Sequence, residues 1–444
     1  MTELVFASED YTAVKDKLTR GETEKCAVLH ANQVKRSDKS VRLLVREIVW
    51  PSPDDYTRTG LLEAELSPAF VARVTKRARL AGSALVFVHS HPGSGAPKFS
   101  HIDAEGEKHL RAFLGHRHPT LQHAAVVVSE GGARARCLGM TEEIRVISLG
   151  PTREVVFDPV VDELSVNEQF ERQVRAFGAL GQRRLERLRM AIVGLGGTGS
   201  IVAQELVHLG ARDFILVDPD VVEPTNLNRV VGAMVDDVGA PKIEVAARYI
   251  RTLNKNAEVH CVRGDVIQAH VARELLDADL IFCCTDSHGS RAVVQQVSYQ
   301  YLIPCMDMGV TIAVKEGSIT HIFGRVQLLS PGLACLTCGN LLDPNEVRQD
   351  MMTAFERRAD PYIQGDREPA PAVVSLNGTV ASLAVTMLLA IVTGIPVRAR
   401  HLLYDAMRSA MRAVRAESKA DCYICSKAGA LARGDSWPLF GRTD

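Results

Sequence analysis

The sequence predicts an α/β protein of two unequal blocks, the second built on a doubly wound parallel sheet. Two observations predict it, and a third, the pairing of four cysteines, points to a metal site. Short apolar runs alternate with polar helical stretches along most of the chain. A glycine-rich turn, Gly194-Leu195-Gly196-Gly197-Thr198-Gly199, separates an apolar strand-like run from a helical one. Four of the ten cysteines form two C-x-x-C pairs. Strands alternating with helices require crossover connections and hence a parallel sheet. The 444 residues exceed what a single core usually holds, and 46% hydrophobic with 24% charged residues is a globular balance that excludes fibrous and disordered classes. With 52 Lys and Arg against 53 Asp and Glu, no general attraction to nucleic acid or anionic lipid is expected.

Residues 1–150 read as a small α/β domain, 151–167 as a connector, 168–430 as the larger domain and 431–444 as a surface-bound or loosely ordered tail without assigned function. In the first block the runs 26–29, 42–49, 84–88 and 123–129 read as strands, and 67–80 and 103–114 as helices. The stretch 149–167 carries a glycine and two prolines without sustained period, which suits a surface connector. In the second block 190–193, 214–217, 280–284, 303–306 and 402–404 read as buried strands, with 200–209 a helix. The first twenty residues mix acids and bases and hold no apolar signal core, so a cytoplasmic location is expected. The uncharged stretch 369–397 contains Ser375, Asn377, Thr379, Ser382 and Thr386, and reads as a buried helix rather than a membrane span.

His89-Ser90-His91 closes the run 84–88, and strand alternation places both imidazoles on one face. Pro92-Gly93 ends the strand, and Ser100-His101-Ile102-Asp103 opens a helix that brings a carboxylate as a third donor. Two histidines, a carboxylate and an open position suit a catalytic zinc, which lowers the pKa of its water to about 7. The order of these parts resembles the JAMM (MPN-plus) metalloproteases: a glutamate, His-Ser/Thr-His-Pro, a loop, then Ser-x-x-Asp. The resemblance implies that His89, His91 and Asp103 bind zinc, that Glu24 is the general base and that Ser100 steadies the oxyanion. Eight residues separate His91 from Ser100 where the family pattern usually has seven, and Glu22 stands two residues from Glu24.

The glycine-rich turn points backbone amides and a helix N-terminus at an anion, and Asp218 ends the next strand, a pairing that dehydrogenases share. The run Val217-Asp218-Pro219-Asp220-Val221-Val222-Glu223-Pro224-Thr225-Asn226-Leu227-Asn228-Arg229 is instead similar to the ThiF/MoeB and ubiquitin-activating enzyme family. Phe170-Glu171-Arg172-Gln173, Gly239-Ala240-Pro241-Lys242 and Cys284-Thr285-Asp286 extend the resemblance over about residues 165–430. It implies ATP as cosubstrate: Gly194, Gly196 and Gly199 shape the phosphate loop, Arg172, Arg229 and Lys242 hold the triphosphate, and Asp218 takes the ribose. Asp286 would hold magnesium and Asn226 lie close to the phosphates. It also implies a homodimer able to supply Arg172 across its interface.

Paired C-x-x-C units in a chain without an export signal read as a metal site before a disulfide. Cys335, Cys338, Cys422 and Cys425 match the four-cysteine structural zinc of the same family. The family's catalytic cysteine has no counterpart, because no cysteine lies between Cys338 and Cys422, and 366–377 occupies the crossing region. Cys283, Cys284 and Cys305 sit in apolar runs and read as core residues.

The two resemblances together imply a bifunctional enzyme acting on a ubiquitin-like, β-grasp modifier. Zinc-dependent cleavage after Gly-Gly would serve maturation or deconjugation, and adenylation would activate the exposed carboxylate. A downstream conjugating or thiol-bearing partner would then receive it. The alternatives are adenylation of a peptide, a small carboxylic acid or a sulfur-carrier protein for thiolation, and a non-catalytic scaffold.

Overall fold

A computed structural model of the chain describes residues 1–61, 63–160, 167–360 and 370–443. Two units form, one from Met1–Asp162, Gln300–Leu302 and Lys427–Pro438, the other from Glu163–Tyr299, Ile303–Ser426 and Leu439–Asp444.

The first unit contains strands Glu3–Ala7 (β1), Cys26–Lys35 (β2), Val41–Val49 (β3), Tyr56–Thr59 (β4), Ala64–Leu66 (β5), Ala84–Ser90 (β6), Ala124–Ser129 (β7), Gly132–Cys137 (β8), Glu143–Leu149 (β9) and Arg153–Phe157 (β10). Its helices are Ser8–Thr19 (α1), Pro68–Ala81 (α2) and His101–Arg117 (α3). The sheet runs β1-β3-β2-β6-β7-β8-β9-β10, and β1 also pairs with β9, so the sheet closes on itself. Strand alternation supplies two cores. Ala27, Leu29, Val86 and Val88 face α1 through Tyr11, Val14 and Leu18, while Val28, Leu85 and Phe87 face Phe70, Val74 and Ala78 of α2. Helix α2 starts where the Ser67 hydroxyl accepts from the Phe70 amide and Pro68 takes the first turn; it stops at left-handed Gly82.

In the second unit the strands are Arg189–Val193 (β11), Asp213–Val217 (β12), Glu258–Val262 (β13), Leu280–Cys283 (β14), Cys305–Lys315 (β15), Ser318–Leu329 (β16), His401–Asp405 (β17) and Ala410–Ala413 (β18). The helices are Glu171–Glu186 (α4), Gly197–His208 (α5), Lys242–Leu253 (α6), Ala269–Glu274 (α7), His288–Gln300 (α8), Pro344–Met351 (α9), Ala354–Ala359 (α10) and Val374–Thr393 (α11). The order β13-β12-β11-β14-β15 is parallel throughout, and β16, β17 and β18 extend it antiparallel.

Three expectations need correction. Residues 402–404 belong to an antiparallel extension, not to the doubly wound part. The cause is the long β15–β16 hairpin, whose turn residues Glu316 and Gly317 both take positive φ. Within the expected connector, 153–157 form β10 against β9, while 161–166 lie outside the described residues. The tail is packed: Leu431 and Ala432 are buried, Asn32 donates to the Ala432 carbonyl, and the Tyr301 hydroxyl donates to Asp435. Helix α11 is long and apolar enough to cross a membrane, yet Val380, Ala381, Ala384, Met387 and Leu388 are wholly buried in the second unit's core.

His30 and His123 are buried in the first unit, and the His30 Nε2 finds no partner among the described residues. Burial pushes both imidazoles below their ordinary pKa; for His30, Glu47 opposes the shift and Arg77 adds to it. Both therefore hold a proton less readily when folded, whereas the unfolded chain takes up their protons below about pH 6.5, so stability falls as pH falls through that range. The melting midpoint of the first unit is expected to drop by a few degrees from pH 7.5 to 5.5, since ~1 kcal/mol shifts a domain of this size by about 2–4 °C. The drop is expected to shrink in His30→Gln, as scanning calorimetry would read.

Candidate functional site

Register brings the first site together. His89 pairs across to Cys26 on β2 and to Val127 on β7, and the Ser90 hydroxyl accepts from the Lys25 amide at 3.0 Å. Glu24 lies two residues before β2 rather than on it, and is buried whereas Glu22 is exposed. Ser100 caps α3, accepting from the Asp103 amide at 3.1 Å while its own amide donates to Asp103 Oδ2 at 2.6 Å. That box aims the carboxylate at the histidines.

The Nε2 atoms of His89 and His91 stand 3.2 Å apart; Asp103 oxygens lie 3.1 Å from His89 and 3.5 Å from His91. Tetrahedral zinc with ligands at about 2.0–2.1 Å sets its donors ~3.3 Å apart, so this donor set fits the ion. Glu24 Oε1 is 3.8 Å from His91 Nε2, beside the three donors rather than among them. Burial raises its carboxyl pKa, against the opposing His89 and with help from Asp103 and Glu63. Burial also works against Asp103, but the His89 ring and the Ser100 amide hold its carboxyl below the ordinary range. A cavity of about 450 Å³ opens beside the site, with Cys26, Leu66, Val71 and Phe87 in its lining.

Sequence reasoning missed the support of this site. Buried Glu107 takes a bidentate pair from Arg136, whose guanidinium lies 3.9 Å from the Phe99 ring centroid. Phe99 in turn packs 6.4 Å from the His89 ring. The available signal was spacing, since Glu107 follows Asp103 by one helical turn and shares its face.

The second site lies at the C-terminal ends of β11, β12 and β14. Gly194 takes φ +88°, and a Cβ on Gly199 would stand 1.9 Å from the Gly194 carbonyl oxygen, so neither position admits a side chain. Gly196 has nothing within 4 Å of its open side. Asp218 accepts from the Leu195 amide at 2.6 Å and from the Asp220 amide at 2.8 Å. Its pKa is raised by burial against those amides and Lys242. Lys242 Nζ bonds Asp220 at 2.8 Å, and Arg229 donates to the Thr225 carbonyl and Asn228. Asn226 is buried, its Oδ1 accepting from the Glu223 amide. Asp286 is exposed after β14, and Arg172 is exposed on the first turn of α4, which kinks at Gly178. Of the predicted set, the structure joins Asp218 directly to the loop, brings Arg229 against Gly197 and holds Lys242 near Asp218 through Asp220, which was not predicted.

Asp307 is wholly buried, paired bidentately with Arg291 and also with Arg325. Arg291 further donates to the carbonyl of Thr285, the residue before Asp286. Asp350 accepts from the Ser287 hydroxyl and the Gly289 amide, tying α9 to the same turn. Neither group has a periodic signature in sequence.

Cys335 and Cys422 sulfurs are 3.6 Å apart, as are those of Cys338 and Cys425. A disulfide needs about 2.05 Å, whereas tetrahedral zinc at 2.3 Å per bond spaces sulfurs by ~3.8 Å. The Cys425 thiol, against burial, pulls the Cys335 pKa below the ordinary thiol range, with the Cys338 amide adding. The four thiols fit a closed metal site. The other six cysteines, Cys26, Cys137, Cys261, Cys283, Cys284 and Cys305, all have burial-raised thiol pKa values. Of the expected crossing segment, residues 366–369 lie outside the described residues.

The model of the ThiF family matches residues 170–425. The SAMP-activating enzyme E1 of Haloferax volcanii is 30% identical over 254 residues, spanning 57% of this chain and 85% of that protein. The molybdopterin-synthase adenylyltransferase of Escherichia coli is 27% identical over 271 residues, spanning 60% and 99%. The sulfur carrier protein ThiS adenylyltransferase of Bacillus subtilis is 28% identical over 175 residues, spanning 38% and 52%. The matched family span includes none of the residues of the histidine site.

Purified chain is expected to carry two zinc ions by elemental analysis, falling to one in His89→Ala and, separately, in Cys338→Ala; unchanged zinc in either variant refutes that site. Asp307→Ala leaves two guanidiniums uncompensated and is expected to cost about 3–5 kcal/mol in denaturant unfolding.

Proposed function

This chain belongs to the ThiF family, and from that premise we propose that its second unit adenylates the C-terminal carboxylate of a ubiquitin-like or sulfur-carrier protein of the β-grasp kind. The observation that carries the reading is the glycine loop anchored on Asp218, with Lys242 beside it. The names of the three relatives support the substrate class. In the reaction a carboxylate oxygen attacks the α-phosphorus of ATP, the bond to the β-phosphate breaks, and pyrophosphate leaves. Loop amides and the α5 N-terminus hold phosphate oxygens. Lys242 exchanges its Asp220 partner for phosphate, Arg229 adds a second cation, and Arg172 is proposed to come from a second copy of this chain. Asp286 would hold magnesium, which would offset the charge that builds on the phosphates. No thiol of the chain outside the zinc cluster is favoured as thiolate, so the acyl-adenylate is proposed to pass to a nucleophile outside the chain, in conjugation or sulfur transfer.

A second reading rests on the histidine site. The spacing of His89, His91 and Asp103 supports a zinc-dependent peptidase or isopeptidase in the first unit. Glu24, with its raised pKa, would take a proton from the attacking water and return it to the leaving amine, and the Ser100 hydroxyl, which bonds the Asp103 carboxylate, would turn to donate to the oxyanion. His89, His91 and Asp103 would hold the zinc, which would supply an activated water.

The test is ATP–pyrophosphate exchange with a β-grasp protein ending in Gly-Gly, alongside mass analysis of a precursor extended beyond Gly-Gly. Exchange dependent on the free Gly-Gly end is expected. Exchange only with short peptides favours the peptide substrate, and none with either favours a scaffold. Glu24→Gln is expected to slow precursor cleavage by about 10²–10⁴-fold with zinc retained, and undiminished cleavage refutes the peptidase mechanism.

A further inference from the structure

We propose that Asn377 is a further phosphate ligand of the nucleotide site, donating its side-chain amide to a phosphate oxygen of ATP held over Gly197; this rests on the adenylation reading. Asn377 stands on the first turn of α11, is 5% exposed, and its side chain hydrogen-bonds no described residue. Its backbone amide is already taken by the Val373 carbonyl at 3.1 Å, so the side chain alone is spare. Buried polar groups almost always have a partner, and one left open at a binding loop is a donor waiting for an acceptor.

The direction of that donor is set by Gly197. A Cβ on this glycine would lie 2.2 Å from Asn377 Nδ2 and 3.3 Å from Arg229 Cδ. The amide and the arginine thus flank the same point of the loop. Two helices also begin there without side-chain caps: α5 after Gly196 and α11 after Val373. An anion at that point meets a neutral donor, a cation and the positive ends of two helices, whereas a neutral ligand would leave most of this unused.

The experiment measures binding of ATP and of adenosine to the full chain by calorimetry, for wild type, Asn377→Ala and Asn377→Asp. Asn377→Asp keeps the shape and replaces a donor by a negative charge. Its dissociation constant for ATP is expected to rise about tenfold or more, that of Asn377→Ala less, and those for adenosine to change by less than about twofold. Equal losses for ATP and adenosine would assign Asn377 a structural role and overturn the proposal, as would unchanged ATP binding in Asn377→Asp with a wild-type melting temperature. Wild-type chain that binds no ATP would overturn the adenylation reading and this proposal with it; wild-type binding with indifferent variants overturns the proposal alone.

Discussion

The second unit depends on a close approach of backbone to backbone. The 1.9 Å between a notional Gly199 Cβ and the Gly194 oxygen is the tightest such spacing at any glycine described. That closeness lets the chain turn from β11 into α5 within four residues and leaves the helix start facing outward. Three other elements then fix the loop. Asp218 takes the Leu195 amide from the β12 side, the Cys284 backbone fills the space a Gly194 side chain would need, and Asn377 fills that of Gly197. A loop immobilised in this way before any ligand arrives needs little ordering when phosphate binds.

A different constraint governs the two metal-ligand sets. Both bring like donors together: two imidazole nitrogens at 3.2 Å, and sulfur pairs at 3.6 Å. Such spacings match a tetrahedral ion, and the sulfurs stand too far apart for a disulfide. The sets differ in what they leave open. Four thiols complete a tetrahedron, while two histidines and a carboxylate leave one position, with Glu24 beside it. Closed sites stabilise folds and open sites perform chemistry, and both couple metal affinity to folding.

The legible parts were those with short-range signatures. The β11–α5 turn could be read because glycine spacing answers a local steric demand, and His89 and His91 because strand alternation is strict. The closure of the first sheet by β1 against β9 could not, since its partners lie far apart in sequence and carry no mutual pattern. The packed tail escaped for a similar reason: Ala430, Leu431 and Ala432 carry no pattern that points to Asn32, which bonds the Ala432 carbonyl. Asn377 stands in an uncharged helix among Ser375, Thr379, Ser382 and Thr386 and reads as one more tolerated polar residue; only its three-dimensional proximity to Gly197 sets its side chain apart.

The chemistry of the two sites has a common currency, the carboxyl group. Hydrolysis of an amide releases a carboxylate and an amine, and adenylation consumes a carboxylate. On the proposed readings, then, the product of one site is the substrate class of the other, and the order is set by chemistry: an amide carbonyl cannot attack ATP as a carboxylate does. Release of the activated group follows equally from the residues present. An acyl-adenylate needs a nucleophile, and burial raises the thiol pKa of Cys283, Cys284 and Cys305. With cysteine absent between Cys338 and Cys422, the proposed acyl-adenylate meets no crossing-segment thiol of this chain, which is what supports an external nucleophile on that reading.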